Sequence, residues 1–400
     1  MRRVDLGRAP AAHADRPPTT ATTPALNLLS DLPSIALVHD YLLVMRGAER
    51  TFAAIAECCP SAPVYTLLYD EEATGGRFAG HPITTSDLQR LRIRQRGFRL
   101  LLPAFPAAVK RLPTRGHDVV LSSSSAFAHG VRVAPGATHI SYCHSPFRYA
   151  WHERERLLEE TPRALRPVAR AGVRRLRRWD TRAARDVTHF IANSQLTAQR
   201  IHEFWDREAT VVHPPVDVDR FHPADPDDYF LVVGQLVRHK RVDAALEAAR
   251  MAKCRIKVVG SGPDLARLAR RAGAGAEFLG RVPDAPLADL YARARALVVP
   301  GVEEFGITAV EAQAAGRPVI AVNSGGALET VIDGETGVHV EPGAGALAEA
   351  MRHVDFDAFS AERLRRHAQT FSLPVFRERF SAEVARLLSL PLAPTDVSVR

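Results

Sequence analysis

"ALVVPGVEEFGITAVEAQAAGRPVIAV", residues 296–322, reads as a buried strand, a short loop, a helix and a second buried strand. Gly306 stands where the chain turns into the helix carrying Ile307 to Gly316. Three acids sit where folding alone would place apolar or small residues. Glu303 and Glu304 precede the Phe305-Gly306 step, and Glu311 interrupts the alanine-rich helix. The first N–H groups of that helix lack internal partners and its N-terminal end is positive, so residues 306–308 offer a site for an anion, phosphate above all. If Glu303 and Glu311 shared one helical line they would lie about 12 Å apart along the axis. Glycosidase carboxylate pairs stand closer, roughly 5 to 9.5 Å apart, which disfavours an acid–base couple across one bond. The spacing suits a long ligand instead, with a phosphate at the helix start and a carboxylate on hydroxyls at either side. The plain alternative is a helix capped by Glu303 with Glu311 exposed.

Outward from this unit the same alternation continues. "YFLVVG", "RIKVVG", "AEFLG", "ALVVP", "PVIAV" and "GVHVE" read as strands, with helices beginning near Arg241, Pro263, Pro286, Gly306, Gly326 and Ala344. Towards the N-terminus, "IALVH", "APVYTLL", "DVVLSS", "THISYC" and "THFIAN" read as buried strands, with helices starting near Gly47, Arg163 and Gln195. Near-continuous apolar strands alternating with helices imply parallel sheets covered on both faces. "HPPVDVDRFHPADPDD" at 213–228 breaks the pattern with Pro and Asp, the composition of a linker. The expectation is therefore an α/β protein of two Rossmann-like, doubly wound domains facing a cleft, residues 34–212 and 229–370. Residues 1–33, rich in Ala, Pro and Thr, read as a disordered extension. A last helix over 371–390 could pack on either domain, and 391–400 is a tail. Ligands of such sheets bind beyond the C-terminal strand ends, which places the site in the cleft.

Composition narrows the classes. Four hundred residues with 46% hydrophobic content suffice for two cores. Cys58, Cys59, Cys143 and Cys254 show no CxxC spacing, which argues against disulfides or a cysteine metal site and fits a reducing compartment. No apolar run approaches the roughly 20 residues that span a bilayer. Asp5, Arg8, His13 and Asp15 interrupt any signal-peptide core, so the chain reads as cytoplasmic, with room for peripheral attachment to the inner membrane face. The net charge of +8 suits anionic partners. Nine arginines lie between Arg163 and Arg185 against one acid, Asp180, and a second run holds Arg90, Arg92, Arg94, Arg96 and Arg99. These stretches are either solvated faces or a dock for an anionic membrane surface. No nucleic acid is expected, because aromatic residues do not interleave with the arginines.

"EEFGITAVE" resembles the E-x7-E signature of family-4 retaining glycosyltransferases, which have the two-domain GT-B fold. "IALVHDYL", "MRGAER", "SYCHSPFRYAW", "FIANS", "VVHPPVD", "VVGQLVRHKR", "VVGSGP", "FLGRV", "DLYARARALVVP" and "GGALETV" match in the same order over residues 35–355. "YCHSPFRYAW" and "PGVEEFGI" look most like the bacterial mannosyltransferases of polysaccharide and lipid-linked oligosaccharide synthesis.

The resemblance implies a role for each matching residue. Glu311 would bind the ribose hydroxyls of a nucleotide-sugar donor and Glu303 the hydroxyls of its sugar. Backbone amides at Gly306, Ile307 and Thr308 would meet the diphosphate or sugar, and Lys240 would neutralise the diphosphate. His144 would lie at a strand end near the transferred sugar, and Gly47 in the loop approaching donor and acceptor. Gln235 stands where the family often has arginine, and Arg238 is the candidate for the second positive charge. Ala48 replaces a loop glycine and Glu304 the common glycine before Phe305, departures that bear on donor preference and loop shape. The family reaction retains anomeric configuration with no metal and no cofactor, using the leaving phosphate as base for the acceptor. No DxD motif stands where a metal-bound diphosphate would be expected. The acceptor class implied is a glycan or a lipid-linked molecule; the subgroup resemblance favours GDP-mannose as donor and leaves UDP-sugars open. Two rival classes are a Rossmann oxidoreductase and a non-catalytic basic protein binding acidic lipid or nucleic acid. The first lacks GxGxxG after the strand at 35–39, where "HDYLLVMRGAER" stands.

Overall fold

The computed structural model describes residues 34–92 and 97–389. The extension 1–33, the tail 391–400, and Arg94 and Arg96 of the second basic run lie outside the described residues. The N-terminal domain is built on a seven-stranded sheet. Its strands are β1 (Ile35–His39), β2 (Val64–Thr66), β3 (Ile83–Thr85), β4 (Val119–Ser124), β5 (Thr138–Cys143), β6 (His189–Ala192) and β7 (Ala209–Val211). The C-terminal domain has six: β8 (Phe230–Val233), β9 (Ile256–Val259), β10 (Ala276–Gly280), β11 (Leu297–Val299), β12 (Val319–Val322) and β13 (Gly337–Val340). Their spatial orders are β3-β2-β1-β4-β5-β6-β7 and β10-β9-β8-β11-β12-β13. All pairings between these strands are parallel. Both sheets thus reverse strand order once, between β1 and β4 and between β8 and β11, the crevice where doubly wound sheets take their ligands. This is the expected α/β architecture of two Rossmann-like domains.

Covering helices explain the apolar strands: β1, β4 and β12 are buried at every residue. The half-buried edge strands β3 and β7 have three residues each, too short to stand out in the sequence. The chain crosses between domains twice, side by side. Val216 N–H donates to the Phe371 carbonyl (2.9 Å), and the returning chain enters the helix Leu373–Ser389. Phe376, Phe380, Val384 and Leu387 of that helix pack into the N-terminal core beside Phe52 and Tyr142. The 213–228 segment is less independent than a linker composition suggests, because Val216, Val218 and Phe221 belong to the C-terminal core.

The arginine-rich stretch forms the helix Arg166–Arg185. Its one acid, Asp180, is fully buried and accepts from Trp151 Nε1 (2.6 Å) and Trp205 Nε1 (2.8 Å). It therefore neutralises nothing on the surface, where Arg174, Arg175, Arg178, Arg182 and Arg185 are exposed. Among the described residues no helix is long and apolar enough to cross a membrane.

Candidate active site

The loop between β11 and the helix Ile307–Ala314 is held by glycines on both sides. A Cβ on Gly301 would lie 2.6 Å from the His239 carbonyl oxygen, and one on Gly326 would overlap the Phe305 backbone. Gly326 N–H also donates to the Glu303 carbonyl (2.8 Å). Gly306 is the residue before the helix, at φ 99°, a left-handed conformation natural to glycine. No side chain caps that end, which leaves the N–H groups of Ile307 and Thr308 for a ligand. Glu303 thus lies in the loop, off the helical line, and does not act as the cap.

Around this tip the sequence-predicted residues gather. Lys240, on the short turn Arg238–Lys240 that follows β8, pairs its Nζ with Glu303. Gln235 is half-buried on the same connection. Arg238 turns outward, 61% exposed, its Nε 3.9 Å from Glu160, rather than joining Lys240 at Glu303. Glu311 is not exposed: its Oε2 accepts from Tyr291 Oη (2.7 Å) and its Oε1 from Arg220 Nη2 (3.1 Å). Burial raises its pKa, against the pull of Tyr291 and Arg220.

The facing wall comes from the ends of β1, β4 and β5. Ser123 Oγ lies 2.9 Å from His144 Nε2 and 3.1 Å from His39 Nδ1, so one hydroxyl links both imidazoles. Burial lowers the pKa of His144 to about 4 and that of His39 to about 3, leaving both neutral at physiological pH. Asp40 accepts from the N–H groups of Ser125 (2.6 Å), Phe127 (2.7 Å) and Ala128 (2.6 Å), pinning the loop behind this wall. Gly47 begins the helix Gly47–Glu57, and a Cβ there would stand 2.8 Å from Ile307 Cδ1. The glycine loop of one domain therefore touches the helix tip of the other.

Sequence reasoning missed a band of charge across this cleft. Glu304 is approached by Arg200 (3.4 Å), Arg148 (3.7 Å) and His152 (3.8 Å), all from the opposite domain. Burial alone would raise the Glu304 pKa, but Arg148, Lys240, Arg200 and His152 hold it at about 2. His239 sits between Arg148 (3.0 Å) and Arg156 (3.1 Å). Its pKa falls to about 3 through burial and then through the charges of Arg148 and Lys240. Arg148 lies inside "YCHSPFRYAW", and Arg220 inside the segment read as linker. Nothing in the sequence marks Arg200 or Tyr291 as partners of cleft carboxylates.

An uncapped helix N-terminus at 306–308, the Lys240–Glu303 pair and Glu311 thus form one side of the cleft, with a neutral histidine, His144, on the other. Comparisons with known proteins speak to family and fold. A family model described as Glycosyltransferase Family 4 matches residues 45–220, and one described as Glycosyl transferases group 1 matches residues 217–371. The D-inositol 3-phosphate glycosyltransferase of Rhodococcus erythropolis is 36% identical over 220 residues, 46% of this chain and 50% of that protein. D-inositol 3-phosphate glycosyltransferase 2 of Catenulispora acidiphila is 33% identical over 244 residues, 50% of this chain and 57% of its own. The chain thus spans about half the length of the curated relatives it matches. Among solved structures, Anabaena HepE in complex with UDP superposes with a TM-score of 0.63 at 16% identity, covering 88% of this chain and 100% of that one. Sucrose-phosphate synthase from Thermosynechococcus elongatus gives 0.65 at 18% identity, over 89% and 99%. With two family models meeting end to end along both domains, the chain belongs to the family-4 glycosyltransferases of GT-B fold.

Proposed function

We propose that the cleft transfers a sugar from a nucleoside diphosphate sugar to an acceptor hydroxyl, with retention of anomeric configuration. One observation carries the reading: an uncapped helix N-terminus, Lys240, Glu303 and the half-buried Glu311 converge on one corner, with Gly47 of the other domain against it. In the reaction the bond from the sugar's anomeric carbon to the diphosphate oxygen breaks and negative charge grows on the diphosphate. Lys240 and the amides at 306–308 stabilise that charge. The acceptor oxygen bonds to the same face of the sugar, and its proton passes to the departing phosphate oxygen. Glu303 orients the donor sugar. His144, being neutral, acts on a sugar hydroxyl by hydrogen bonding rather than by charge. The cleft residues need neither metal nor cofactor for these steps.

The "YCHSPFRYAW" and "PGVEEFGI" resemblance supports GDP-mannose as donor and a glycan or lipid-linked molecule as acceptor. The UDP bound in Anabaena HepE makes a UDP-sugar the competing donor. A thermal-shift panel of GDP, UDP, ADP and their sugars tests both. The true nucleotide at 100 times its Kd adds about 2.7 kcal/mol of stability and raises the melting point by a few degrees. A GDP-selective shift supports the mannose donor, a UDP-selective shift replaces it, and a flat response to all rejects the reading.

The exposed arginines of Arg163–Arg185, with exposed Leu165 and Val168 beside them, support docking on an anionic membrane surface. Each basic residue near such a surface contributes about 1 kcal/mol. Replacing Arg174, Arg175 and Arg178 with glutamine should therefore weaken co-sedimentation with phosphatidylserine vesicles about 100-fold at low salt. Unchanged sedimentation removes the membrane from the scheme.

A further inference from the structure

Glu304 is held differently from the other paired carboxylates of the cleft. Glu311 receives bonds of 2.7 and 3.1 Å and Glu329 one of 2.9 Å from His213, whereas Glu304 meets its three partners only at 3.4 to 3.8 Å. A guanidinium–carboxylate pair built for stability closes to about 2.7–2.9 Å and is often bidentate. Here one oxygen, Oε1, stands among Arg148, Arg200 and His152, accepting one long hydrogen bond from Arg200 Nη1 (3.4 Å) and staying 3.7 and 3.8 Å from the other two. The three are largely enclosed, with side chains 32%, 14% and 20% exposed. They are donors arranged around a point, and a phosphate with three terminal oxygens satisfies them better than one carboxylate oxygen.

The surrounding charge agrees. Arg148, Arg156, Arg200, Arg238 and Lys240 face Glu153, Glu160, Glu303 and Glu304, so five permanent cations meet four carboxylates before any ligand enters. The cluster is also placed for substrate. Arg148 follows His144 by four residues on the same segment, and Glu304 adjoins Glu303, so an anion held here lies beside the transferred sugar.

We propose that Arg148, Arg200 and His152 form a phosphate subsite on the N-terminal wall of the cleft, occupied by Glu304 until a substrate phosphate displaces it. The proposal deepens the sugar-nucleotide reading and rests on it for the name of the phosphate's carrier. The carrier is either the donor, through the β-phosphate that bears its sugar, or an acceptor that bears a phosphate ester.

Inorganic phosphate titrated into the full chain by calorimetry, at constant ionic strength with chloride, tests it. Glu304→Gln keeps the shape and removes the competing charge, so phosphate should bind about tenfold more tightly than to the unaltered protein. Adding Arg200→Gln or Arg148→Gln should remove that gain, with circular dichroism confirming that each variant is folded. No tightening in Glu304→Gln, or a gain that survives loss of both arginines, overturns the subsite. Repeating the titration with GDP or UDP at saturation identifies the carrier. If the gain disappears, the donor's β-phosphate fills the subsite; if it persists, the acceptor's phosphate does. Should phosphate behave as expected while no nucleoside diphosphate binds at all, the donor reading falls and the subsite stands.

Discussion

Lys240→Ala lowers kcat about 10²- to 10³-fold in the expected result, the range found when a single preorganised donor to a developing oxyanion is removed. Lys240 is only 23% exposed and is paired with Glu303, so its ammonium already stands at the corner to which the proposed reaction assigns the diphosphate. Its removal has a second consequence. Glu303 then faces the diphosphate without its partner, and repulsion adds to the lost attraction. The double variant Lys240→Ala/Glu303→Gln should therefore lose less than the product of the two single losses, a non-additivity expected of groups in direct contact. Lys240→Arg keeps the charge but not the compact ammonium, and should fall between wild type and alanine. Steady-state kinetics on the donor selected by the thermal-shift panel read all four. If Lys240→Ala stays within threefold of wild-type kcat, the diphosphate does not lie where the helix tip and Lys240 place it.

What the sequence showed and what it hid follow from how local each feature is. The strand at 296–299, the turn at Gly306 and the helix behind it are contiguous, so apolar periodicity and one glycine suffice to read them. Lys240 and Glu303 are 63 residues apart, yet both stand at C-terminal strand ends of one doubly wound sheet, and topology alone brings them to the same crevice. Glu304 is the opposite case. Its neighbours Arg148, His152 and Arg200 come from another domain, and which arginine crosses the cleft depends on how the two sheets face, not on periodicity within either. Arg238 shows the limit on the same turn as Lys240. Two residues along a 3₁₀ turn point in different directions, so sequence proximity to a good candidate did not bring it inward. Asp180 was legible as the one acid of a basic helix, but its role beneath two tryptophans was not, because their N–H groups reach it from segments 29 and 25 residues away.

Glu311→Ala should weaken nucleotide binding by about 2–4 kcal/mol, roughly 30- to 1000-fold, through the loss of charge-assisted bonds to the ribose. Glu311 already serves Arg220 through one oxygen and Tyr291 through the other. A carboxylate offers about four lone-pair sites, so each oxygen retains one for a hydroxyl, and ribose need not expel either protein partner. Those partners hold the acid in place before the nucleotide arrives, so little rearrangement is needed on binding. The same contacts make Glu311→Ala a stability variant as well. Tyr291 Oη loses its acceptor in a fully buried position, at about 1–3 kcal/mol, while Arg220 keeps Asp284 at 2.9 Å. Melting temperature alone therefore cannot identify the ribose contact, and the substrate has to be altered too. Wild-type protein should bind the 2′- and 3′-deoxy forms of its nucleotide more weakly than the parent, whereas Glu311→Ala should bind all three alike. If the variant still discriminates against the deoxy forms by the wild-type factor, another group reads the ribose and Glu311 is a strut for Arg220 and Tyr291.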